Sequence, residues 1–280
     1  MPAVLLTDRA VLSVSGAEAR NFLQGLVTCD MTKVSAGAPG FGALLTPQGK
    51  ILFDFLIAQD GERFLLDTSR EKAADLLKRL TFYRLRAKVE LASLSDDAKG
   101  DEALAVVALF GGAQAPADAI VFADPRAETL GKRAILPVAA ARRFASDARE
   151  KYEAHRIACG VPAGGLDFAY GDAFPHETNM DLLHGVAFDK GCYVGQEVVS
   201  RMQHRGLVRK RVLKVAIDGE AAPGAEIRAG EIAVGVLGGA QGGQGLATVR
   251  LDRLDDAKGA ALAAGAANVS VLDRDPQGSH

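Results

Sequence analysis

A cysteine stands between two glycines in the segment Lys190-Gly191-Cys192-Tyr193-Val194-Gly195-Gln196-Glu197. Glycines permit a tight loop and the close approach of a ligand or of another backbone segment. The residues that follow, Gln196 to Gln203, predict a short helix that ends before Gly206. A cysteine that precedes a helix N-terminus, with a lysine two residues away, favours the thiolate over the thiol. Cys192 and Lys190 are therefore the candidate catalytic residues, and a buried, inert cysteine is the alternative.

The overall composition is that of a folded protein with little net charge. The 280 residues are 48% hydrophobic and 24% charged, and the formal net charge is −2. Such a balance predicts no general attraction to nucleic acid or to an anionic membrane, so contact with either needs a local patch. No apolar run reaches the roughly 18 residues of a transmembrane helix, and the first ten residues do not resemble a secretory signal. We therefore expect no membrane partner and no direct nucleic-acid binding.

The spacing of cysteines and histidines bears on metal sites and on cellular compartment. The three cysteines, Cys29, Cys159 and Cys192, are far apart, and no pair has CxxC spacing. An odd and sparse set is typical of a reducing compartment, which predicts a cytoplasmic location. Three scattered cysteines cannot hold a four-iron cluster within one chain. The five histidines show neither HxH nor HExxH spacing, so we expect no resident metal site.

Local patterns predict two regions of different type. Helical apolar stripes and strand patterns intermingle up to about residue 205, and Leu85 to Leu91 alternates apolar and charged residues like a half-buried strand. After Gly206, short apolar runs are separated by glycine-rich turns such as Gly242-Gly243, which favours a small β-barrel. The predicted fold class is α+β. A body of antiparallel-rich sheets with helices covers residues 1–205, and a C-terminal β-barrel domain covers residues 206–280.

The octapeptide around Cys192 also carries a family resemblance, supported by four further motifs. These are Phe22-Leu23-Gln24-Gly25 with Thr28 and Asp30, Thr46-Pro47-Gln48-Gly49-Lys50, Leu85-Arg86-Ala87-Lys88-Val89, and Pro175 with Glu177 and Asn179. The set resembles the YgfZ family of folate-binding proteins, which are similar in fold to the T-protein (aminomethyltransferase) of the glycine cleavage system. The resemblance implies a T-protein-like body with a possible inserted subdomain at about residues 46–140. It also implies an accessory role in iron–sulfur cluster assembly or repair, which indirectly supports enzymes such as those that modify tRNA.

The ligand implied by the resemblance is tetrahydrofolate or a one-carbon derivative of it. Glu177 occupies the position that resembles the pterin-binding glutamate of T-protein relatives, and a carboxylate can accept two adjacent pterin N–H groups. Tyr83 is an aromatic candidate for stacking on the flat ring. Asp54 is a further acidic candidate for the folate site. The alternatives left open are a surface role for Glu177 and a core role for Tyr83.

A basic stretch follows the cysteine. Between Val198 and Ile217 there is no Asp or Glu, and Arg201 and Arg205 are the first of its cations. Such a stretch could bind the glutamate tail of folate or an acidic partner, for which iron–sulfur assembly proteins or client enzymes are the candidates. The alternative is a strand edge that lysine and arginine keep from pairing with another strand.

One position departs from the T-protein pattern. T-protein relatives carry two adjacent acidic residues on the strand after a glycine-rich turn, and the corresponding residues here are Phe53 and Asp54. Loss of a carboxylate at a reacting amine removes a proton acceptor, which is worth roughly 10²–10⁴-fold in rate. This departure favours an accessory protein without a turnover reaction over an aminomethyltransferase-like one-carbon transfer enzyme. A module that docks a protein without binding folate is the third hypothesis.

Overall fold

The computed structural model describes residues 2–95, 103–206 and 208–273. The elements before residue 206 are, in chain order, β1 (Ala3–Leu5), β2 (Arg9–Ser15), α1 (Ala19–Gln24), β3 (Gly40–Leu45), β4 (Ile51–Asp60), β5 (Arg63–Ser69), α2 (Arg70–Arg84), β6 (Glu90–Ser93), β7 (Leu104–Leu109), β8 (Ile120–Ala123), β9 (Lys132–Pro137), α3 (Val138–Phe144), α4 (Arg149–Ala158) and α5 (Gln196–Arg205). The elements after it are β10 (Lys210–Asp218), β11 (Glu226–Ala229), β12 (Ile232–Gln241), β13 (Gln244–Arg250), α6 (Leu251–Asp256), β14 (Leu262–Ala264) and β15 (Ala267–Val271).

Two antiparallel sheets form the body. The first has the strand order β3-β4-β5-β2-β6 and the second has the order β1-β7-β9-β8. Four strands of the first sheet, β3, β4, β5 and β2, are largely buried on both faces and have nearly continuous apolar sequences, whereas the edge strand β6 is partly exposed. In β4, Leu56 packs towards the second sheet, whereas its neighbours Phe55 and Ile57 pack against α1 and α2. The main core therefore lies between the two sheets, and a second core lies under the helices.

The six strands after residue 206 close into a barrel of order β10-β13-β12-β11-β14-β15. Every strand pair in the barrel is antiparallel. The tight turn between β12 and β13 uses Gly242 and Gly243 at φ +62° and +76°, a region that favours glycine. The predicted α+β class with a C-terminal β-barrel is confirmed. Within the described ranges, no helix has both the length and the apolar character that crossing a membrane requires.

A buried ion pair joins the body to the barrel. Arg156 of α4 donates from Nη1 to Asp167 Oδ2 at 2.6 Å, and both side chains are inaccessible to solvent or nearly so. Asp167 Oδ1 accepts the backbone N–H of Gly239 in β12 at 2.7 Å. A Cβ atom on the preceding Gly238 would lie 2.5 Å from the same carboxylate oxygen. The barrel strand therefore needs glycine at this point to reach the ion pair.

One sequence expectation is wrong in the body. The strand predicted from Leu85 to Leu91 begins only at Glu90, because α2 continues to Arg84 and Leu85 is almost fully exposed. The inserted subdomain expected at about 46–140 stays a prediction, and strand pairing joins β3 to β4 and β1 to β7 across its limits. The division of the chain into domains 1–205 and 206–280 stays a prediction.

Candidate functional site

The cysteine loop, residues 190–195, is anchored at its first residue by a buried ammonium group. Lys190 Nζ donates to the backbone carbonyl oxygens of Gln24, Val27 and Cys29 at 2.8, 2.7 and 2.8 Å. These bonds use all three N–H donors of the ammonium. Burial lowers the pKa of Lys190 from its ordinary value. In the structure the three donors of Lys190 are therefore taken by the backbone at 24–29, which positions the loop, and the catalytic role expected for Lys190 stays a prediction.

Gly195 anchors the other end of the loop on the turn between β3 and β4. A Cβ atom at Gly195 would lie 2.5 Å from Thr46 O and 3.0 Å from Gly49 Cα, so no larger residue fits without a shift. Gly195 has φ +82°, which also favours glycine. The helix α5 begins at the next residue, Gln196. This contact joins the cysteine motif to the motif at residues 46–50, although Gly195 and Gly49 are 146 residues apart in sequence.

Cys192 lies exposed between these two anchors. Of the three cysteines, Cys29 is buried, Cys159 is half-buried and Cys192 is exposed. Burial raises the pKa of Cys29 to about 12, although the nearby Lys190 charge opposes this, so Cys29 stays a neutral thiol at physiological pH. Next to Cys192, the buried ring of Tyr193 lies 5.2 Å from Lys190 Nζ. The loop therefore presents one accessible thiol from a fixed backbone.

Glu177 lies on a 3-10 helix, Pro175–Thr178, that is packed against α5. The neighbouring His176 contacts Gln203 of α5, with 2.9 Å between Nε2 and Oε1. The half-buried Glu177 accepts the backbone N–H of Phe174 through Oε2 at 3.0 Å. Its acceptor oxygens are thus held in place by the local turn.

Arg201 and Arg205 lie on α5, next to the 3-10 helix that carries Glu177. Both are exposed, and Arg201 forms a 2.6 Å ion pair with Glu197 one helical turn away. The structure therefore places the predicted basic residues on the element adjacent to the predicted pterin carboxylate.

Asp54 and Tyr83 lie in different parts of the body. Asp54 of β4 is buried and accepts a hydrogen bond from the Tyr170 hydroxyl. Its neighbour Phe53 packs in the core under the helices. Tyr83 of α2 packs at the edge of that same core. Among the contacts of the described ranges, none joins Tyr83 to Asp54 or Glu177.

Sequence reasoning missed a buried charged cluster between the two sheets. Arg9 Nε donates to Asp67 Oδ1 at 2.6 Å, and Asp67 and Asp54 raise the pKa of Arg9 although burial opposes this. Asp67 Oδ2 and Arg133 Nη1 are 4.0 Å apart, and both are buried without a hydrogen-bond partner. Because unpaired buried polar atoms are costly, this cluster is a candidate polar site next to Asp54. The sequence feature that could have revealed this cluster is a charged residue within an otherwise apolar strand, such as Asp67 in β5.

A cavity of about 410 Å³ extends to Asp189, the residue before the cysteine loop. Phe41 and Phe188 contribute apolar lining, and Lys33 and Asp189 form a 3.1 Å ion pair within its lining. Cys192 does not line this cavity. The thiol opens to solvent instead, so any reacting group approaches it from outside the protein.

Comparison with solved structures supports the fold assignment. The aminomethyltransferase T of the glycine cleavage system from Bartonella henselae superposes with a TM-score of 0.75 over 98% of this chain and 85% of that chain. The two sequences are only 15% identical, so the likeness concerns the fold alone. Residues 209–276 match the family model of the CAF17 C-terminal beta-barrel domain. The T-protein-like body and the barrel are therefore both seen in known proteins.

Curated relatives share more of the sequence. The mitochondrial iron–sulfur cluster assembly factor IBA57 of Homo sapiens is 34% identical over 75% of this chain and 65% of its own length. IBA57 homologs of Neurospora crassa and Pyricularia oryzae are 33% and 37% identical over 74% and 78% of this chain. These relatives are iron–sulfur cluster assembly factors. The chain spans between about half and two thirds of their length, 52% and 58% for the two fungal proteins.

The relatives correct the expected cellular location and bear on the family resemblance. The predicted cytoplasmic location is wrong by this comparison, because the IBA57 relatives are mitochondrial proteins. A sparse cysteine set indicates a reducing compartment, and it does not distinguish one such compartment from another. The motifs of this chain resemble those of the YgfZ family, whereas the curated relatives are named IBA57. The implied role of the first and the printed name of the second both concern iron–sulfur cluster assembly.

Proposed function

We propose that this protein is an accessory factor in iron–sulfur cluster assembly or repair that acts through the thiol of Cys192. The observation that carries the proposal is the exposed cysteine held between the buried Lys190 and the tightly packed Gly195. A fixed backbone keeps the sulfur accessible without ordering the loop anew at each encounter, which reduces the entropic cost of binding. The IBA57 relatives, which are iron–sulfur assembly factors, support the same role.

The number of thiols limits what the protein does with a cluster. Iron–sulfur clusters are held by about four ligands, and Cys192 supplies one. Among the described residues, no group of three or more Cys, His, Asp or Glu side chains is placed to hold a metal ion. A cluster that contacts Cys192 is therefore shared with an assembly protein or a client enzyme, which supplies the other ligands.

Replacement of Cys192 by serine tests this proposal. The variant should fail to restore iron–sulfur enzyme activities, including that of a cluster-dependent tRNA-modifying enzyme, in cells lacking their own factor. The matched control is Cys159→Ser, which changes a half-buried thiol outside the loop and should restore them. Because Cys192 is exposed, its replacement should change the free energy of unfolding by less than about 0.5 kcal/mol. Restored enzyme activity with the Cys192→Ser variant would remove the proposal.

We further propose that the body binds tetrahydrofolate or a one-carbon derivative. Glu177 would accept pterin N–H groups, and Arg201 and Arg205 on the adjacent α5 would contact the glutamate tail. Asp54 would contribute from its buried position beside the charged cluster of Arg9, Asp67 and Arg133. Tyr83 is the weakest member of the set, because it packs at the edge of the outer core.

Glu177→Gln should weaken tetrahydrofolate binding about tenfold, because a charge-assisted hydrogen bond is worth about 1.5–3 kcal/mol. Glutamine keeps one acceptor oxygen for the N–H of Phe174, so the 3-10 helix should stay intact. Titration calorimetry measures the affinity, and Glu220→Gln, an exposed barrel residue, is the control. Equal affinities for both variants would exclude Glu177 from the site. Absence of heat with the unmodified protein would favour a docking module without folate.

The aminomethyltransferase alternative is less well supported by the geometry. Phe53 packs in the apolar core under the helices, and no carboxylate occupies its position. The remaining acid, Asp54, accepts the hydrogen bond of the Tyr170 hydroxyl in a buried cluster. A proton acceptor for a reacting amine needs a free lone pair in reach of the substrate. An accessory role without turnover is therefore the function we favour.

A further inference from the structure

Two apolar side chains at the end of α2 project into solvent. Leu85 is 87% exposed and Phe82 is 70% exposed, the two highest values for large hydrophobic side chains among the described residues. They are three residues apart at the C-terminal end of α2, where Phe82 lies in the last turn and Leu85 is the residue that caps the helix. The helix is held by its buried residues Ala73, Leu76 and Leu80 on another face. Most of the surface of both side chains therefore lies outside the packing of α2, although the Phe82 ring contacts the Tyr83 ring with 5.8 Å between centroids.

The backbone of Leu85 is also unusual. It has φ +45° and ψ −107°, in the left-handed half of conformational space that favours glycine. A branched side chain makes this conformation more costly, and a solvent-exposed leucine recovers none of that cost through burial. Strained non-glycine residues cluster at binding and functional sites. The conformation and exposure of Leu85 thus point to a contact outside this chain.

The surroundings of the two side chains are positively charged. Between Leu76 and Val89 the chain has no Asp or Glu and has five exposed cations, Lys78, Arg79, Arg84, Arg86 and Lys88. Within residues 2–95, 103–206 and 208–273, no ion pair joins Arg84 or Arg86 to a carboxylate. A concavity of about 480 Å³ lies directly beside Leu85, and its lining includes Arg84, Arg86 and Lys88 but only one carboxylate, that of Glu90.

We propose that this surface, the α2 tip (Phe82, Arg84, Leu85, Arg86 and Lys88), docks an acidic protein partner. An apolar pocket of the partner receives Leu85 and Phe82, and a carboxylate of the partner enters the concavity between Arg84 and Arg86. Exposed apolar residues ringed by charge are typical of protein interaction sites, and opposite charges guide the encounter.

The shape and chemistry of the α2 tip favour an acidic protein over an anionic lipid surface or a nucleic acid. A lipid surface would leave the 480 Å³ concavity beside Leu85 unfilled, whereas a protein side chain can occupy it. Single-stranded nucleic acid is held by successive bases stacking on several aromatic rings, whereas the most exposed large hydrophobic side chain of the α2 tip is a leucine and Phe82 is the single aromatic member of that surface. A folded partner with an acidic rim and an apolar pocket satisfies both the charge and the shape.

Site-specific photo-crosslinking in cells tests the docking. A photoreactive amino acid at position 85 should give a discrete protein adduct, and mass spectrometry should identify an acidic surface peptide as the attachment point. Arg84→Glu with Arg86→Glu should reduce the adduct at least tenfold, because it reverses the charge of the α2 tip. The matched control, Arg142→Glu with Arg143→Glu, reverses two exposed arginines on α3 and should leave the adduct unchanged.

Other outcomes of this experiment would overturn the proposal. They are the absence of an adduct, an adduct that survives the Arg84 and Arg86 reversal, and an adduct that ribonuclease removes. Co-sedimentation of the unmodified protein with phosphatidylcholine vesicles containing phosphatidylserine, lost in Leu85→Glu, would assign the α2 tip to lipid and would equally overturn it.

A functional readout, which rests on the proposed iron–sulfur role, separates the two proposals. Leu85→Glu should lower the restored iron–sulfur enzyme activities at least tenfold. Leu272→Glu, which alters a 50% exposed leucine after the barrel strand β15, should not. Full activity of Leu85→Glu with an inactive Cys192→Ser variant would overturn the docking proposal alone. Full activity of Cys192→Ser would overturn the iron–sulfur role, and the adduct at position 85 would still decide the docking.

Discussion

Lys190→Met should destabilise the protein by about 2–4 kcal/mol and release the cysteine loop. The methionine fills most of the space of the lysine stem, but the backbone carbonyls of Gln24, Val27 and Cys29 lose the donor they share. A buried polar group left without a partner costs about 1–3 kcal/mol, and three such groups are affected. Urea unfolding measures the free energy. Hydrogen exchange of the loop amides should rise in parallel, because the loop loses one of its two anchors.

The control for this change is a lysine near the same loop that makes a surface ion pair. Lys33 pairs with Asp189 at 3.1 Å, and both side chains are largely exposed. Exposed pairs contribute little to stability, so Lys33→Met should leave the urea midpoint unchanged. If Lys190→Met unfolds at the same urea concentration as Lys33→Met, the ammonium is not an anchor and the loop is held by other contacts.

Asp167→Asn should cost about 3 kcal/mol, because it removes the fully buried one of the two carboxylates that pair with the Arg156 guanidinium and leaves only that of Glu153. The Asp167 carboxylate also accepts N–H groups of Ala163 at 2.7 Å and of Gly239 at 2.7 Å. Asparagine has an NH₂ group in place of one carboxylate oxygen. That group is a donor and cannot accept the N–H of Ala163 or of Gly239. The loss should appear as a lower urea midpoint, with faster exchange of the Gly239 amide at the junction between body and barrel.

Asp252→Asn is the matched control for this second change. Asp252 forms an ion pair with Arg250 at 2.6 Å, which is as short as the pair between Asp167 and Arg156 but lies on the surface. Water screens the surface pair, so its removal should leave the urea midpoint unchanged. Equal effects of the two substitutions would mean that the junction does not depend on the buried pair.

The parts of the fold that were predictable depend on local patterns. Glycine-rich turns and short apolar runs predicted the C-terminal barrel, because each turn and each strand face is decided within a few residues. The same reasoning failed at Leu85 to Leu91, where the charged residues alternate as in a strand but α2 extends to Arg84 and leaves Leu85 exposed. Alternation shows which residues share a face, and it does not show whether a partner strand is present to bury that face.

The candidate site was predictable in its chemistry and not in its geometry. The glycines around Cys192, and its spacing from the helix at Gln196, indicated an accessible cysteine loop. The acceptors that Lys190 binds in the fold were not predictable, because lysine can reach any acceptor within the length of its side chain. Its three carbonyl partners are at least 161 residues away in the chain.

Residue order alone therefore indicated the secondary structure of the barrel, the candidate cysteine and the glycines that allow its loop, since each follows from interactions between near neighbours. Folding in three dimensions determined the rest. The contacts of Lys190 with residues 24–29, of Gly195 with the turn at Gly49, and of Asp167 with β12 join segments distant in sequence. Such contacts form only where packing brings the segments together and excludes water, so no local pattern specifies them.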